Sequence, residues 1–145
     1  MIRRLSSKTW VYVAWVQSIL AMLGSLYYSE IKHYTPCTLC WYQRILMYPL
    51  VLVIAVGILR RDKNLYHYVL PLSITGWLIA FYHVLLQKGL LPEAVAPCAL
   101  GASCTTKYVG YFGFITIPVM SLIAFTVIII CMLIVRKVSK NESRN

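Results

Sequence analysis

Four of the five cysteines fall into two close pairs, and such pairs can form, break and exchange disulfide bonds. Cys37 and Cys40 form a Cys-x-x-Cys motif directly before an apolar run, while Cys98 and Cys104 lie closer to the carboxyl terminus. The start of a helix presents unpaired N–H groups and the positive end of the helix dipole, which stabilise a thiolate. The spacing therefore predicts a redox-active cysteine pair at the start of a helix.

Arg44 follows Cys40 by four residues, which places it one turn further along the same face of the predicted helix. A fixed cation there favours a thiolate on Cys40, so the sequence favours Cys40 over Cys37 as the reactive thiolate. Two loop disulfides could be purely structural, but a Cys-x-x-Cys motif, a nearby arginine and a second cysteine pair together favour redox chemistry. Cys131 has no apparent partner and is interpreted as a small apolar residue.

His83 and Gln87 are four residues apart and share one face of a third apolar run. His83 lies at about the same depth from the end of its run as Arg44 does. Polar groups at membrane depth are functional candidates by default. A histidine that only hydrogen-bonds between two helices is the structural alternative.

The composition indicates which elements must position these side chains. Of the 145 residues, 60% are hydrophobic and 12% are charged, whereas soluble domains have about 45–50% apolar and about 25% charged residues. The 14 Lys and Arg residues against 4 Asp and Glu residues give a net charge of +10. Because these charges form short clusters between long uncharged stretches, a membrane explains them better than a nucleic acid does. We expect a single membrane domain, 1–145.

Four uncharged stretches are long enough to cross a bilayer, provided that the second includes Arg44 in its first turns. Every backbone N–H and C=O in lipid needs an internal partner, so the stretches should be helical. The predicted fold class is all-α, an integral membrane four-helix bundle. The predicted spans are 10–29, 41–59, 66–87 and 112–135, and the predicted outer loops are 30–40 and 88–111.

The basic residues predict the orientation of this bundle in a cell membrane. Ten of the fourteen lie in the amino-terminal segment, in the second connection or in the tail. The positive-inside rule therefore predicts that both termini are cytoplasmic. The two cysteine pairs then face the oxidising side, where disulfides persist.

The motifs resemble those of the DsbB family, a group of bacterial disulfide-generating membrane proteins. The stretch 37–44, Cys-Thr-Leu-Cys-Trp-Tyr-Gln-Arg, is similar to that family's Cys-x-x-Cys followed by an aromatic residue and an arginine. The segment from His83 to Gln87 is similar to its His-x-x-x-Gln stretch in the third span. The four-span layout covers essentially the whole chain. The close spacing of Cys98 and Cys104 resembles the short type found in Gram-positive bacteria.

This resemblance implies a quinone-linked enzyme that reoxidises an extracytoplasmic thioredoxin-like thiol oxidase. By resemblance, the partner's reduced cysteine attacks Cys98, Cys104 then exchanges with Cys37, and Cys40 passes the electrons onward. The implied acceptor is a membrane quinone of the menaquinone or ubiquinone type, bound beside Arg44.

Further quinone-site residues implied by the resemblance are His83 and Gln87. One departure lies at Gln43, where proteobacterial members often have Glu, so a carboxylate role there does not carry over. Two other interpretations remain open from the residues alone. One is a four-span scaffold with stabilising loop disulfides, and the other is a protein that binds zinc or copper through its cysteines.

Overall fold

The computed structural model describes residues 7–90, 92, 104 and 116–142. This part of the chain contains no strand, and its four long helices are each apolar enough to cross a membrane. The all-α fold class is therefore confirmed. The helices are α1 (Ser7–Leu26), α2 (Thr38–Arg60), α3 (Tyr66–Gln87) and α4 (Ile117–Glu142), and α1 continues into a π-helical segment, Tyr27–Ile31.

Several helices extend beyond the apolar stretches that predicted them. The helical structure of the first span runs from Ser7 to Ile31, and α2 begins at Thr38 because Cys37 caps it. α4 continues past Val135 to Glu142, since the basic segment there contains neither glycine nor proline to end a helix. Residues 112–115 of the predicted fourth span and most of the predicted loop 88–111 lie outside the described residues.

The four helices pack as a closed ring. α1 and α3 each pack against both α2 and α4. The core between them contains fully buried large side chains from three helices, including Leu50, Ile54, Val69, Phe125 and Ile128. Other apolar side chains face outward, such as Leu52 at 70% exposure and Leu59 at 82%. This exposed apolar surface suits a lipid environment, in which it need not be buried against protein.

Close contact between α3 and α4 depends on a glycine. A Cβ atom at Gly76 would overlap the ring of Phe125 on α4. Small residues let helix backbones approach closely in membrane proteins. One turn of the same interface is fixed by Trp77, whose indole N–H donates to Thr126 Oγ1 at 2.9 Å.

The two ends of the bundle differ in chemistry. One end, which we call the cysteine end, is formed where α1 and α3 finish and where α2 and α4 begin, and it holds Cys37, Cys40 and Cys104. The opposite end holds the first residue of α1 and the last residue of α4. Exposed basic side chains are found at that opposite end, among them Lys8, Arg60, Arg61, Lys63, Arg136 and Lys137.

Candidate functional site

Cys37 caps the amino terminus of α2. Its backbone is extended, with φ −72° and ψ 169°, and its Sγ accepts a hydrogen bond from the Cys40 N–H at 3.4 Å. Both cysteines are free, and their sulfur atoms are 2.9 Å apart. A capping side chain satisfies one of the N–H groups that a helix start leaves without a partner. The cap therefore holds one sulfur of the motif against the end of the helix and close to the other sulfur.

The contacts of Cys37 favour its thiolate. A hydrogen bond from the Cys40 thiol, joined by the nearby His83 ring and the Cys40 N–H, outweighs burial and lowers the pKa of Cys37 from 9.0 to about 4. Stabilising the thiolate stabilises the reduced pair, which makes the corresponding disulfide a stronger oxidant. The sequence favoured Cys40 as the reactive thiolate, whereas these contacts with the Cys40 thiol, His83 and the Cys40 N–H favour a thiolate on Cys37. Which of the two sulfurs is the more reactive stays a prediction.

His83 connects α3 to Cys37 and to Cys104. It is 2% exposed, and its Nε2 atom is 3.7 Å from Cys37 Sγ and 3.2 Å from the Cys104 backbone oxygen. Its Nδ1 atom is 3.1 Å from the Gln43 side-chain nitrogen. Cys104 is buried and forms a disulfide. Cys98, which was predicted as the other cysteine of the outer pair, lies outside the described residues.

The same three residues resemble part of a metal site. One sulfur or nitrogen atom from each of Cys37, His83 and Cys104 lies within 4.8 Å of the others. Zinc sites use thiolate sulfur and imidazole nitrogen, and structural sites have four ligands. The sulfur of Cys104 is bonded in a disulfide, so it is not a thiolate ligand. The arrangement therefore fits disulfide exchange better than it fits a metal ion.

A small pocket of about 40 Å³ opens beside these cysteines. Its lining includes Cys37, Cys40, Cys104, His83 and Gln87. It places both cysteines of the Cys-x-x-Cys motif and Cys104 around one space. The pocket is thus a candidate site for thiol–disulfide exchange.

A much larger cavity of about 390 Å³ lies between α1, α2 and α4. Its lining is mostly apolar, and its polar members include Cys40, Gln43, Arg44 and Tyr48 of α2. The Tyr48 hydroxyl is buried and has no hydrogen-bond partner among the described residues. A buried hydroxyl without a partner costs free energy, so a ligand with an acceptor oxygen would be stabilised there.

Arg44 is held at the edge of this cavity by the end of α1. Its guanidinium donates to the Ser25 backbone oxygen at 3.1 Å and to Ser29 Oγ at 3.3 Å. The same group lies over the Trp41 ring, 5.5 Å from the ring centroid. Ser29 belongs to the π-helical segment, a type of local widening that is frequent at functional sites. Arg44 is thus positioned by side chains, backbone and an aromatic ring.

The structure divides the predicted site residues between the two spaces. Arg44 lines the large cavity, whereas His83 and Gln87 line the small pocket with Cys37 and Cys104. Their predicted contact with a quinone stays a prediction, and the geometry places them beside Cys37 and Cys104. Cys131 is buried in the main core, apart from the cluster that contains Cys37 and Cys104.

Two residues of the site were not predicted from the sequence. Tyr48 follows Arg44 by four residues and Cys40 by eight, so helical spacing along one face was a signal for it. Gln43 was noted only as a departure from the family pattern. Its contact with His83 depends on how α2 and α3 are rotated against each other, which no local pattern records.

Comparisons with known proteins give one consistent picture. A family model described as "Disulfide bond formation protein DsbB" matches residues 7–135. "Disulfide bond formation protein C" of Bacillus subtilis strain 168 is 48% identical over 126 residues, covering 87% of this chain and 91% of that protein. "Probable disulfide formation protein C" of Halalkalibacterium halodurans is 48% identical over 122 residues, covering 84% of this chain and 89% of that protein.

A more distant relative shares the same description. "Probable disulfide formation protein" of Metapseudomonas resinovorans is 36% identical over 135 residues, covering 91% of this chain and 94% of that protein. No solved structure matches the chain.

Proposed function

Because this chain belongs to the DsbB family of disulfide bond formation proteins and is a multi-pass cell membrane protein, we propose that it reoxidises an extracytoplasmic thioredoxin-like thiol oxidase. In this proposal the electrons pass to a membrane quinone. The observation that carries the proposal is the position of Cys40. It lines both the small pocket that holds Cys37 and Cys104 and the large cavity that holds Arg44 and Tyr48.

The exchange steps use both cysteine pairs in turn. A partner thiolate attacks Cys98, which forms a mixed disulfide and releases the Cys104 thiolate. Cys104 attacks Cys37 in the oxidised Cys37–Cys40 pair, so a Cys104–Cys37 disulfide forms and the Cys40 thiolate leaves. Each step breaks one disulfide for each that it forms, and its rate depends on the pKa values of the attacking and leaving thiols.

The remaining steps return the outer pair to its oxidised form. The second thiol of the partner resolves the mixed disulfide and frees Cys98. Cys98 then attacks Cys104, which restores the outer disulfide and releases Cys37 as a thiolate. The result is an oxidised partner and a reduced Cys37–Cys40 pair. Among the described cysteines, Cys104 is in a disulfide while Cys37 and Cys40 are free, which is compatible with this proposed end state.

The lowered pKa of Cys37 supports the direction of this relay. A leaving thiol with a low pKa departs more readily, and a stabilised thiolate makes the inner pair easier to reduce. Electron transfer from the Cys98–Cys104 pair to the Cys37–Cys40 pair is therefore favoured. The Cys40 thiol, the His83 ring and the cap on α2, which all contact Cys37, provide that stabilisation.

The large cavity fits a quinone head group by size, by apolarity and by its polar atoms. Its volume of about 390 Å³ is within the range of small-molecule sites. Arg44 and Tyr48 lie one turn apart, about 6 Å along α2, and would hold the ring through its oxygens. A bound quinone supplies a two-electron, two-proton acceptor for the reduced cysteine pair. The buried Tyr48 hydroxyl, which has no hydrogen-bond partner in the described part of the chain, is a feature that a purely structural cavity does not explain.

The orientation in the membrane follows from charge. The end opposite the cysteines carries the exposed basic side chains of α1, α2 and α4. The positive-inside rule would place that end, with both termini, in the cytoplasm. The cysteine end would then face the extracytoplasmic side, where a thioredoxin-like partner could reach it.

The proposal is tested with protein reconstituted in lipid nanodiscs. A ubiquinone or menaquinone analogue and a reduced thioredoxin-like oxidase are added, and quinone absorbance is followed. We expect quinone reduction that depends on the thiol partner and that is lost in Cys40→Ser. If the wild type reduces no quinone while its loop disulfides persist in mild reductant, the chain is a scaffold and the proposal is wrong. Stoichiometric zinc or copper in the purified protein would support the metal-binding alternative instead.

A further inference from the structure

His83 has a hydrogen-bonding group opposite each ring nitrogen. The Cys104 backbone oxygen lies 3.2 Å from Nε2, and the Gln43 side-chain nitrogen lies 3.1 Å from Nδ1. The ring itself is 2% exposed and Gln43 is 6% exposed. Since both side chains are nearly buried, these two contacts decide where the imidazole carries its proton.

The two contacts independently give the same tautomer. A carbonyl oxygen can only accept a hydrogen bond, so the nitrogen facing Cys104 must carry a hydrogen. An amide NH₂ group can only donate, so the nitrogen facing Gln43 must be the unprotonated acceptor. We propose that Gln43 is a positioning residue that orients the His83 ring, so that Nδ1 accepts from Gln43 and the N–H group on Nε2 faces Cys104 and Cys37. His83 is then a hydrogen-bond donor to Cys104 and Cys37 and does not accept a proton from Cys37.

The single N–H group of His83 faces both Cys104 and Cys37. It donates to the Cys104 carbonyl, and Cys37 Sγ lies 3.7 Å from the same nitrogen. Holding the Cys104 backbone keeps that cysteine beside Cys37. The same N–H stabilises negative charge on Cys37 whenever an exchange step releases it as a thiolate. This use of the donor rests on the proposed function, whereas the tautomer itself does not.

A base at this position would be built differently. To accept the Cys37 proton, His83 would need an unprotonated Nε2, and that atom would then face the Cys104 carbonyl oxygen without a hydrogen between them. A carboxylate at position 43 would instead accept a hydrogen bond from a protonated Nδ1. An amide in that place keeps the ring hydrogen on the nitrogen that faces the sulfurs.

The tautomer is tested by ¹⁵N NMR of histidine-labelled full-length protein in nanodiscs. The chain has three histidines, so His83→Asn assigns the His83 signals, and His33 and His67 serve as internal references. We expect a protonated, pyrrole-type Nε2 and an unprotonated, pyridine-type Nδ1 in the wild type. Gln43→Glu should convert both His83 nitrogens to the pyrrole type and leave the reference signals unchanged. A wild-type ring protonated on Nδ1, or on both nitrogens, overturns the proposal.

A second measurement separates the donor role from the proposed electron transfer. Single-turnover oxidation of a reduced thioredoxin-like oxidase is followed without added quinone, by acid quenching and thiol alkylation. We expect His83→Phe to slow exchange roughly 10- to 100-fold, as loss of a hydrogen bond to a charged group does, and His83→Gln to restore part of the rate. Equal rates in His83→Phe and the wild type overturn the donor role. A wild type that exchanges thiols but reduces no quinone contradicts only the proposed function.

Discussion

Gln43 and Arg44 are neighbours on α2 and both line the large cavity, yet their side chains hydrogen-bond to different helices. Gln43 contacts His83 of α3 beside the exchanging sulfurs, and Arg44 donates to Ser25 and Ser29 at the end of α1. Successive side chains on a helix point about 100° apart, so one turn of α2 serves two spaces. Cys40 lines both spaces, so in the proposed function this single helix start would connect thiol exchange with electron acceptance.

Arg44→Ala should impair quinone reduction much more than thiol exchange. The guanidinium lines only the large cavity, while the small pocket lacks it. Loss of a charged hydrogen-bond donor is worth about 1.5–3 kcal/mol, or roughly 10- to 100-fold in quinone reduction rate. The measurement compares steady-state quinone absorbance with quinone-free single-turnover exchange.

The matched control for Arg44 is Arg60→Ala, which removes an exposed arginine at the opposite end of α2. That variant should behave like the wild type in both assays. An Arg44→Ala protein that loses both activities equally, or neither, would contradict the assignment of Arg44 to the quinone cavity.

Tyr48→Phe should weaken quinone binding without destabilising the protein. The substitution removes one hydroxyl that has no partner among the described residues. If a quinone oxygen is its partner, its loss costs about 0.5–1.5 kcal/mol, or roughly a 2- to 12-fold higher KM for quinone. Removing a buried hydroxyl without a protein partner should leave the Tm unchanged or slightly raised.

Tyr12→Phe provides the comparison for Tyr48, because the Tyr12 side chain is 49% exposed and does not line the cavity. Its KM for quinone should equal that of the wild type. An unchanged KM in Tyr48→Phe together with a lowered Tm would show that the hydroxyl has a structural role.

The Cys37 thiol should remain reactive at acidic pH in the reduced protein. Its pKa is lowered to about 4, so the thiolate is present above that pH and is lost as the pH falls through it. The iodoacetamide rate constant of the Cys37 peptide should therefore change little between pH 9 and pH 6. An ordinary thiol would lose reactivity several hundredfold, at about tenfold per pH unit.

Reduced protein unfolded in denaturant is the reference for this measurement, because its Cys37 lacks the cap and the His83 contact. The unfolded protein should show the steep dependence on pH. The same steep dependence in the folded protein would mean that the contacts of Cys37 do not stabilise its thiolate.

The sequence predicted the parts of this site that lie on one helix. The four-residue spacing of Cys40 and Arg44 put both on one face of α2, and both line the same cavity. The apolar stretches also predicted four helices, because burial in lipid requires helical hydrogen bonding. The π-helical segment was not predicted, since Tyr27–Ile31 differs from an α-helix only in which carbonyl each N–H contacts.

Contacts between helices could not be predicted in the same way. His83 was a candidate because it is polar within an apolar run, but its position beside Cys37 and Cys104 depends on how α3 packs against α2. The sequence favoured a thiolate on Cys40 because of the nearby Arg44, whereas the Cys40 thiol, the His83 ring and the cap favour one on Cys37. Such geometry is set by the extended backbone before α2, which spacing alone does not specify.

Cys131→Ala should leave turnover near the wild-type rate, whereas Cys40→Ser should abolish it. Cys131 is 2% exposed within the main core, whereas Cys40 packs against the separate cluster that contains Cys37 and Cys104. Without Cys40, Cys37 cannot form the disulfide that accepts electrons from Cys104, so the proposed exchange stops. Turnover is measured as quinone reduction in the presence of the reduced partner. An inactive Cys131→Ala protein that keeps the wild-type Tm would mean that a fifth cysteine takes part.

Gly76→Ala should destabilise the bundle by forcing α3 away from α4. A Cβ atom there would overlap the Phe125 ring, which is fully buried and has little room to move. Overpacking of this kind typically costs about 1–3 kcal/mol. The expected result is a lower Tm in detergent, followed by tryptophan fluorescence. Gly24→Ala is the matched control, since a Cβ at Gly24 meets nothing within 4 Å.

A second substitution identifies the cause of the Gly76 effect. In the double variant Gly76→Ala with Phe125→Leu, the smaller side chain makes room for the new methyl group. Its Tm should therefore exceed the value obtained by adding the two separate losses, since residues in contact are not additive. If the losses simply add, or if Gly76→Ala is as stable as Gly24→Ala, the contact between Gly76 and Phe125 does not set the distance between α3 and α4.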